Sequence, residues 1–247
     1  MKALIALALF SQLLSCKAVP HGPFPPLVYR VLDCDDPETE EAAAEAVNYI
    51  NTHHQKGYKY ALNRIEKVRV LPRRPFGEIF VLELDLLETT CHVVNPLPLE
   101  NCTVRAFTDH AVEGDCDVKL VKVDGIFSVS SARCHSSPDS AEDIVRVCPD
   151  CPLLAPLNDT RVAHAVALAL AQFNSDGPGP YIKLLEIARA QRQVNHLPDS
   201  VSVEFAVAAT NCSAQDAKNH LEDCETLTGE QTVSVYWPLL IPVKSKK

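Results

Sequence analysis

The chain has 247 residues, with 23 Lys and Arg against 32 Asp and Glu, a net charge of −9. Nothing in it resembles the basic stripe that follows a phosphate backbone, so nucleic acid is excluded as a partner. The acidic balance suits cationic partners or divalent ions, and the length allows two domains that each bury a core.

Residues 1–18 combine Lys2, the apolar run Ala3–Leu14 and small residues near Cys16–Ala18. This reads as a secretory signal peptide cleaved after Ala18, too short and wrongly flanked for a membrane span. No later segment has enough uninterrupted apolar residues to cross a bilayer, so the chain is expected to be secreted into an oxidising space. Of ten cysteines, Cys16 falls in this leader, which leaves an odd number to pair. Sequons at Asn101, Asn158 and Asn211 predict N-glycosylation.

Asp35-Asp36-Pro37-Glu38 supplies a capping residue, a first-turn proline and an acidic first turn. Ala43, Ala46, Val47 and Ile50 recur at helical spacing, which predicts an amphipathic helix over Pro37–His53. A strand is predicted over Asn63–Leu71, broken by Arg73-Arg74-Pro75-Phe76-Gly77. The next, Glu78–Cys91, alternates with period two: Phe80, Leu82, Leu84 and Leu86 inward, Val81, Glu83 and Asp85 outward. Further strands are expected at Cys102–Phe107 and Cys116–Val123, the latter turning at Asp124-Gly125 into Phe127–Arg133. Residues 136–156, polar and Pro-rich around Cys148-Pro149-Asp150-Cys151-Pro152, read as a linker.

The pattern then repeats. Asn158-Asp159-Thr160 caps a helix with an apolar face of Val162, Val166, Ala169, Leu170 and Phe173. Asn174–Pro180 is a turn, Tyr181–Ala190 a strand, His196-Leu197-Pro198 a break, and Val201–Cys212 an alternating strand. Cys91/Cys102 and Cys212/Cys224 sit at matching places, as do Ala42 and Ala163 relative to them. The expected fold is therefore α+β: two tandem domains, 28–135 and 157–247, each a helix with antiparallel strands that can wrap it. After Cys224 the second copy lacks the Cys116…Cys134 hairpin, so it is expected to be incomplete and the less stable of the two. Val233, Val235 and Trp237 suit one further strand, limited by Pro238 and Pro242.

A helix, a hairpin break and then Leu-Glu-Thr-Thr-Cys (Leu87–Cys91) resemble a cystatin domain. Two such domains behind a signal peptide resemble the fetuin family of plasma glycoproteins. Pro20–Pro23, Cys34–Ala43, His110–Asp117, Ser136–Asp143 and Cys151–Val162 carry the likeness. The resemblance implies disulfides Cys91–Cys102, Cys116–Cys134, Cys148–Cys151 and Cys212–Cys224. It also implies a short form in which Cys34 has lost its distant partner and is free or linked between molecules.

Inhibitory cystatins use a Gln-x-Val-x-Gly hairpin, of which Arg73–Gly77 keeps only the glycine, so cysteine-protease inhibition is a weak reading. In a related fetuin a loop matching Cys148–Cys151 is thought to meet the zinc of astacin-type proteases through its Asp, which would be Asp150 here. The competing expectation concerns mineral. Carboxylates at i and i+2 on a strand lie roughly 6.5–7 Å apart, and strands lie about 4.8 Å apart. Glu83, Asp85 and Asp117 could thus bind calcium ions or calcium phosphate as ligand, many weak contacts acting together. The resemblance implies this role too, along with endocytic carriage and a cell-surface receptor. Ser140-Ala141-Glu142 fits a secretory-kinase pattern, and Ser136 and Ser137 lie close by, so phosphorylation would add further anions. No catalytic constellation, discrete metal spacing or cofactor motif is present, which reads as a non-enzyme.

Overall fold

A computed structural model describes residues 30–175, 179–193, 200–219, 221–227 and 232–242. The signal-peptide reading, the break at His196–Pro198 and the side chain of Trp237 lie outside the described residues.

Helix α1 spans Pro37–His53. The Asp36 carboxylate accepts from the Glu38 backbone N–H at 2.9 Å, and Pro37 opens the first turn, as the capping signal predicts. Four antiparallel strands follow, β1 (Tyr58–Pro72), β2 (Glu78–His92), β3 (Val112–Val123) and β4 (Ile126–Pro138), ordered β1-β2-β3-β4. The helix lies across one face. Its buried Ala42, Ala43, Ala46, Val47 and Ile50 meet Phe80, Leu82, Leu84, Leu86, Val118 and Leu120. Each fully buried Leu or Phe contributes roughly 1.5–3 kcal/mol, so this stripe dominates the stability of the unit. The β3–β4 turn is tight because Asp124 and Gly125 both take positive φ, 52° and 83°.

The segment 102–107, predicted as a strand, is not one. It runs between single helical turns at Leu99–Asn101 and Phe107–Asp109. Only Thr89 and Val104 form a bridge. The reason is geometric: β3 occupies the β2 edge from Glu78 to Leu87, which leaves only the last few residues of β2 to pair with this segment. Residues 136–156 are likewise more than a plain linker. Strand β4 runs on to Pro138, α2 (Ala141–Val147) buries Ile144, and β5 (Leu153–Leu154) joins the second sheet.

In the second unit α3 (Thr160–Ser175) packs Val162, Ala165, Val166 and Ala169 on Val201, Val203, Phe205 and Val207. Asp159 caps it, accepting from the Arg161 N–H at 2.9 Å. Strands β6 (Pro180–Gln193), β7 (Ser200–Ser213) and β8 (Thr232–Pro242) complete an antiparallel sheet ordered β5-β6-β7-β8. The short helix α4 (Ala214–Asn219) follows β7. Strand β8 takes the position of β3, and among the described residues no strand takes that of β4. The fourth strand is instead β5, two residues long, on the opposite edge.

Candidate functional site

The two sheets use their outer faces differently. On β3 the alternation is complete: Gly114, Cys116, Val118 and Leu120 are buried, while Glu113, Asp115, Asp117 and Lys119 are exposed. The register sets Lys67, Glu83, Asp117 and Arg133 in one row across four strands, and Arg64, Asp85, Asp115 and His135 in the next. A third row holds Arg69, Val81, Lys119 and Ser131. Between the first two rows lies a shallow depression of about 430 Å³ lined by Glu66, Glu83, Asp115, Asp117, Arg133 and His135. Five carboxylates, those of Glu83, Asp85, Glu113, Asp115 and Asp117, thus share one face. Their crowding shows at Glu113, whose acidity is weakened by burial first and then by Asp139, Asp85 and Asp115.

The structure brings Glu83 and Asp117 side by side. Asp85, expected to point outward, is 8 % exposed. It sits on a central strand and is roofed by β1, where Asn63 donates to it at 2.7 Å and Arg64 lies 3.3 Å away. Glu83 is also engaged, by Lys67 at 3.0 Å and Arg69 at 3.7 Å. Sequence reasoning missed Asp115, Glu113 and the cations of β1. The first two could have been found, because the alternation Glu113, Asp115, Asp117, Lys119 is plain once Gly114 is accepted inside a strand. Gly114 sits there because the Tyr60 ring would lie 3.2 Å from an added Cβ. Among the described residues no group of three His, Cys, Asp or Glu is arranged to hold one metal ion.

The second candidate is the knuckle after α2. Cys148 and Cys151 are bonded, closing a loop with Pro149 and the exposed Asp150 at its tip. The Gln193 amide donates to the Asp150 carbonyl at 2.9 Å, which ties the loop to the end of β6 and leaves the carboxylate outward. Three further disulfides join Cys91 to Cys102, Cys116 to Cys134 and Cys212 to Cys224, while Cys34 is a half-buried free thiol. Asn101, Asn158 and Asn211 are exposed, as are Ser136, Ser137 and Ser140, the last capping α2. Ser137 is paired with Glu113 and so stands at the acidic end of the first sheet's outer face.

The outer face of the second sheet is spent on joining the two units. The Arg189 guanidinium, 3 % exposed, donates to Glu88 at 2.9 Å and to the Asp109 carbonyl at 2.6 Å, and also bonds the His110 carbonyl. Arg105 donates to Glu204 at 3.0 Å, and the Tyr58 hydroxyl donates to the same carboxylate at 2.5 Å. Burial raises the Glu88 pKa, opposed first by Arg189 and then by Arg105. His92, also buried, is held toward its neutral form by desolvation, with Glu186 at 3.4 Å opposing. His110 accepts from the Leu154 N–H at 2.9 Å and faces the Asp139 carbonyl at 2.8 Å, which pins the connecting segment. None of this network was legible beforehand, since each charge sits alone in its own strand pattern.

A cystatin domain family model matches residues 151–236. The chain is 57 % identical to alpha-2-HS-glycoprotein (fetuin-A) of Sus scrofa over 92 % of its own length and 62 % of that protein. It is 53 % identical to the Homo sapiens protein of that name, over 94 % of this chain and 62 % of the relative. It therefore spans about three fifths of the length of these relatives. Mouse fetuin-B in complex with crayfish astacin superposes with a TM-score of 0.66 at 30 % identity, covering 77 % of this chain and 60 % of that one. Mouse fetuin-B in complex with human meprin beta gives 0.67 at 28 %, covering 82 % and 65 %. Sequence likeness along nearly the whole chain, the double helix-and-sheet architecture and the cystatin match agree: this chain resembles the fetuin family and is built as two cystatin-like domains.

Proposed function

We propose that this protein binds calcium ions and nascent calcium phosphate through the outer face of its first sheet, and so limits mineral growth. One observation carries the reading: five carboxylates on two neighbouring strands share one face of the sheet, at spacings of roughly 5–7 Å, and among the described residues no three are grouped to hold one ion. Each contact is weak, and the array binds by avidity. Glu83, Asp115 and Asp117 make the contacts, while Asp85 lies buried and paired with Arg64. Phosphate on Ser137 would extend the array beside Glu113, and phosphate on Ser136 or Ser140 would raise the local negative charge. N-glycans at Asn101, Asn158 and Asn211 would leave this face open, because none of the three lies on the strands that build it there.

The test is inhibition of calcium phosphate precipitation. Glu83→Gln with Asp117→Asn should weaken inhibition several-fold while Asp150→Ala leaves it unchanged. Unaltered inhibition by the double variant would contradict the proposal.

A second reading has its own support. Asp150 is an exposed carboxylate on a disulfide loop with two residues between its cysteines, and the related mouse fetuin-B has been solved in complexes with astacin and meprin beta. A carboxylate held rigidly in advance loses little entropy on meeting a catalytic zinc. Here Asp150→Ala should abolish inhibition of an astacin-type protease, and Glu83→Gln with Asp117→Asn should not affect it. The opposite pattern would refute this role.

A further inference from the structure

The acidic face is also a cationic one. Lys67, Arg69, Lys119 and Arg133 stand among its carboxylates, with Arg64 at the β1 edge. The side chains of Lys67 and Arg69 are 53 % and 59 % exposed, and Lys119 and Arg133 are exposed too. Their arrangement follows the lattice of the sheet. One row reads Lys67, Glu83, Asp117, Arg133 across the strands, and Asp117, Lys119 succeed one another outward along β3. Lys119 and Arg133 make no side-chain ion pair within 4 Å among the described residues. Those of Lys67 and Arg69 with Glu83 are surface pairs, worth at most about 1 kcal/mol, and so exchange readily for a better partner.

A strand whose only task was to collect calcium would gain nothing from these cations, which repel the ion. A uniform polyanion fits no better, because the five carboxylates would repel it. The surface matched by both signs at a pitch of roughly 5–7 Å is an ionic lattice that itself alternates cation and oxyanion. We propose that Lys119, Arg133 and Arg69 bind phosphate oxyanions of calcium phosphate while Glu83, Asp115 and Asp117 bind its calcium, so that the face reads both ions at once. The inference rests on the mineral reading above and adds the anion half of the contact. Arg133 contributes two or more N–H donors in a plane that suits a phosphate edge, and Lys119 a point charge.

The experiment measures adsorption of the full glycosylated chain to hydroxyapatite at physiological ionic strength, with free-calcium binding measured separately by calorimetry. Lys119→Ser with Arg133→Ser should weaken adsorption roughly fourfold, two exposed charge contacts at a factor of about two each, without weakening free-calcium binding. Lys119→Arg with Arg133→Lys should restore adsorption. Far-UV circular dichroism and a disulfide map identify any variant that fails to fold, and the charge-conserving pair then decides by comparison with Lys119→Arg, Arg133→Gln. Adsorption by the serine variant equal to or tighter than wild type, with Glu83→Gln, Asp117→Asn impaired, overturns the phosphate role and leaves the calcium role standing. Wild-type adsorption by both overturns both.

Discussion

Glu38 shows how one side chain can tie several elements together. It sits in the first turn of α1, takes hydrogen bonds from Arg30 and from Lys122 on β3, and shares Arg30 with Glu78 on β2. Arg30 first, with Lys122, holds its pKa down to about 2 from 4.5. A depressed carboxylate contributes stability that is present above its unfolded value and lost as the pH falls through the folded one. The first domain should therefore lose roughly 1–2 kcal/mol between about pH 4.5 and 2 from this group, the linkage value being reduced because Arg30 is over a third exposed. Thermal midpoints measured across that range should show the loss in the wild type and not in Glu38→Gln. Identical slopes would contradict the assignment. The sequence placed Glu38 as a dipole partner at a helix start, which it is. Its reach to Arg30 and Lys122 was hidden because those residues lie 8 and 84 positions away.

At the scale of elements, the strands and helices most fully legible were those whose apolar residues recur at one period from end to end. Pro37–His53 and β2 are such cases, and β2 differs from its expected bounds only at His92. The failures share a cause: tertiary neighbours, not local pattern, decide. Segment 102–107 has strand-like composition but only the short free end of the β2 edge to pair with, and Asp85 follows the outward period yet is roofed by Arg64 and Asn63. The β1–β2 turn gives a prediction at this scale. Gly77 takes φ +96°, and a Cβ there would stand 2.6 Å from the Lys122 carbonyl. Gly77→Ala should cost about 1–3 kcal/mol by denaturant unfolding, from left-handed strain and displacement of β3. A stability equal to wild type would show that the hairpin shifts freely.

For the whole molecule, the two domains are joined by buried charge, with Glu88 and Arg105 of the first unit meeting Arg189 and Glu204 of the second. A buried pair is weak evidence of stability in itself, but removing one partner is costly. Arg189→Met should destabilise the protein by about 3–5 kcal/mol, because Glu88 would stay buried with only Arg105 beside it. Glu88→Gln with Arg189→Met should recover much of that loss, and calorimetry of the single variants should resolve two transitions where the wild type shows one. Additive losses in the double variant would contradict a coupled clamp. The same network explains why β7 is buried on both faces after Phe205: Ala206 and Ala208, beside Glu204 on the joining face, are 0 % and 2 % exposed.

The central claim is that one face of one sheet meets the mineral, and carbodiimide footprinting of carboxylates on chain adsorbed to hydroxyapatite tests it most directly. Glu83, Asp115 and Asp117 should be protected from labelling relative to the free chain, while Asp150, Glu222 and Asp223 stay reactive. Protection confined to the knuckle or the second domain, with these three as reactive as in solution, would contradict the account.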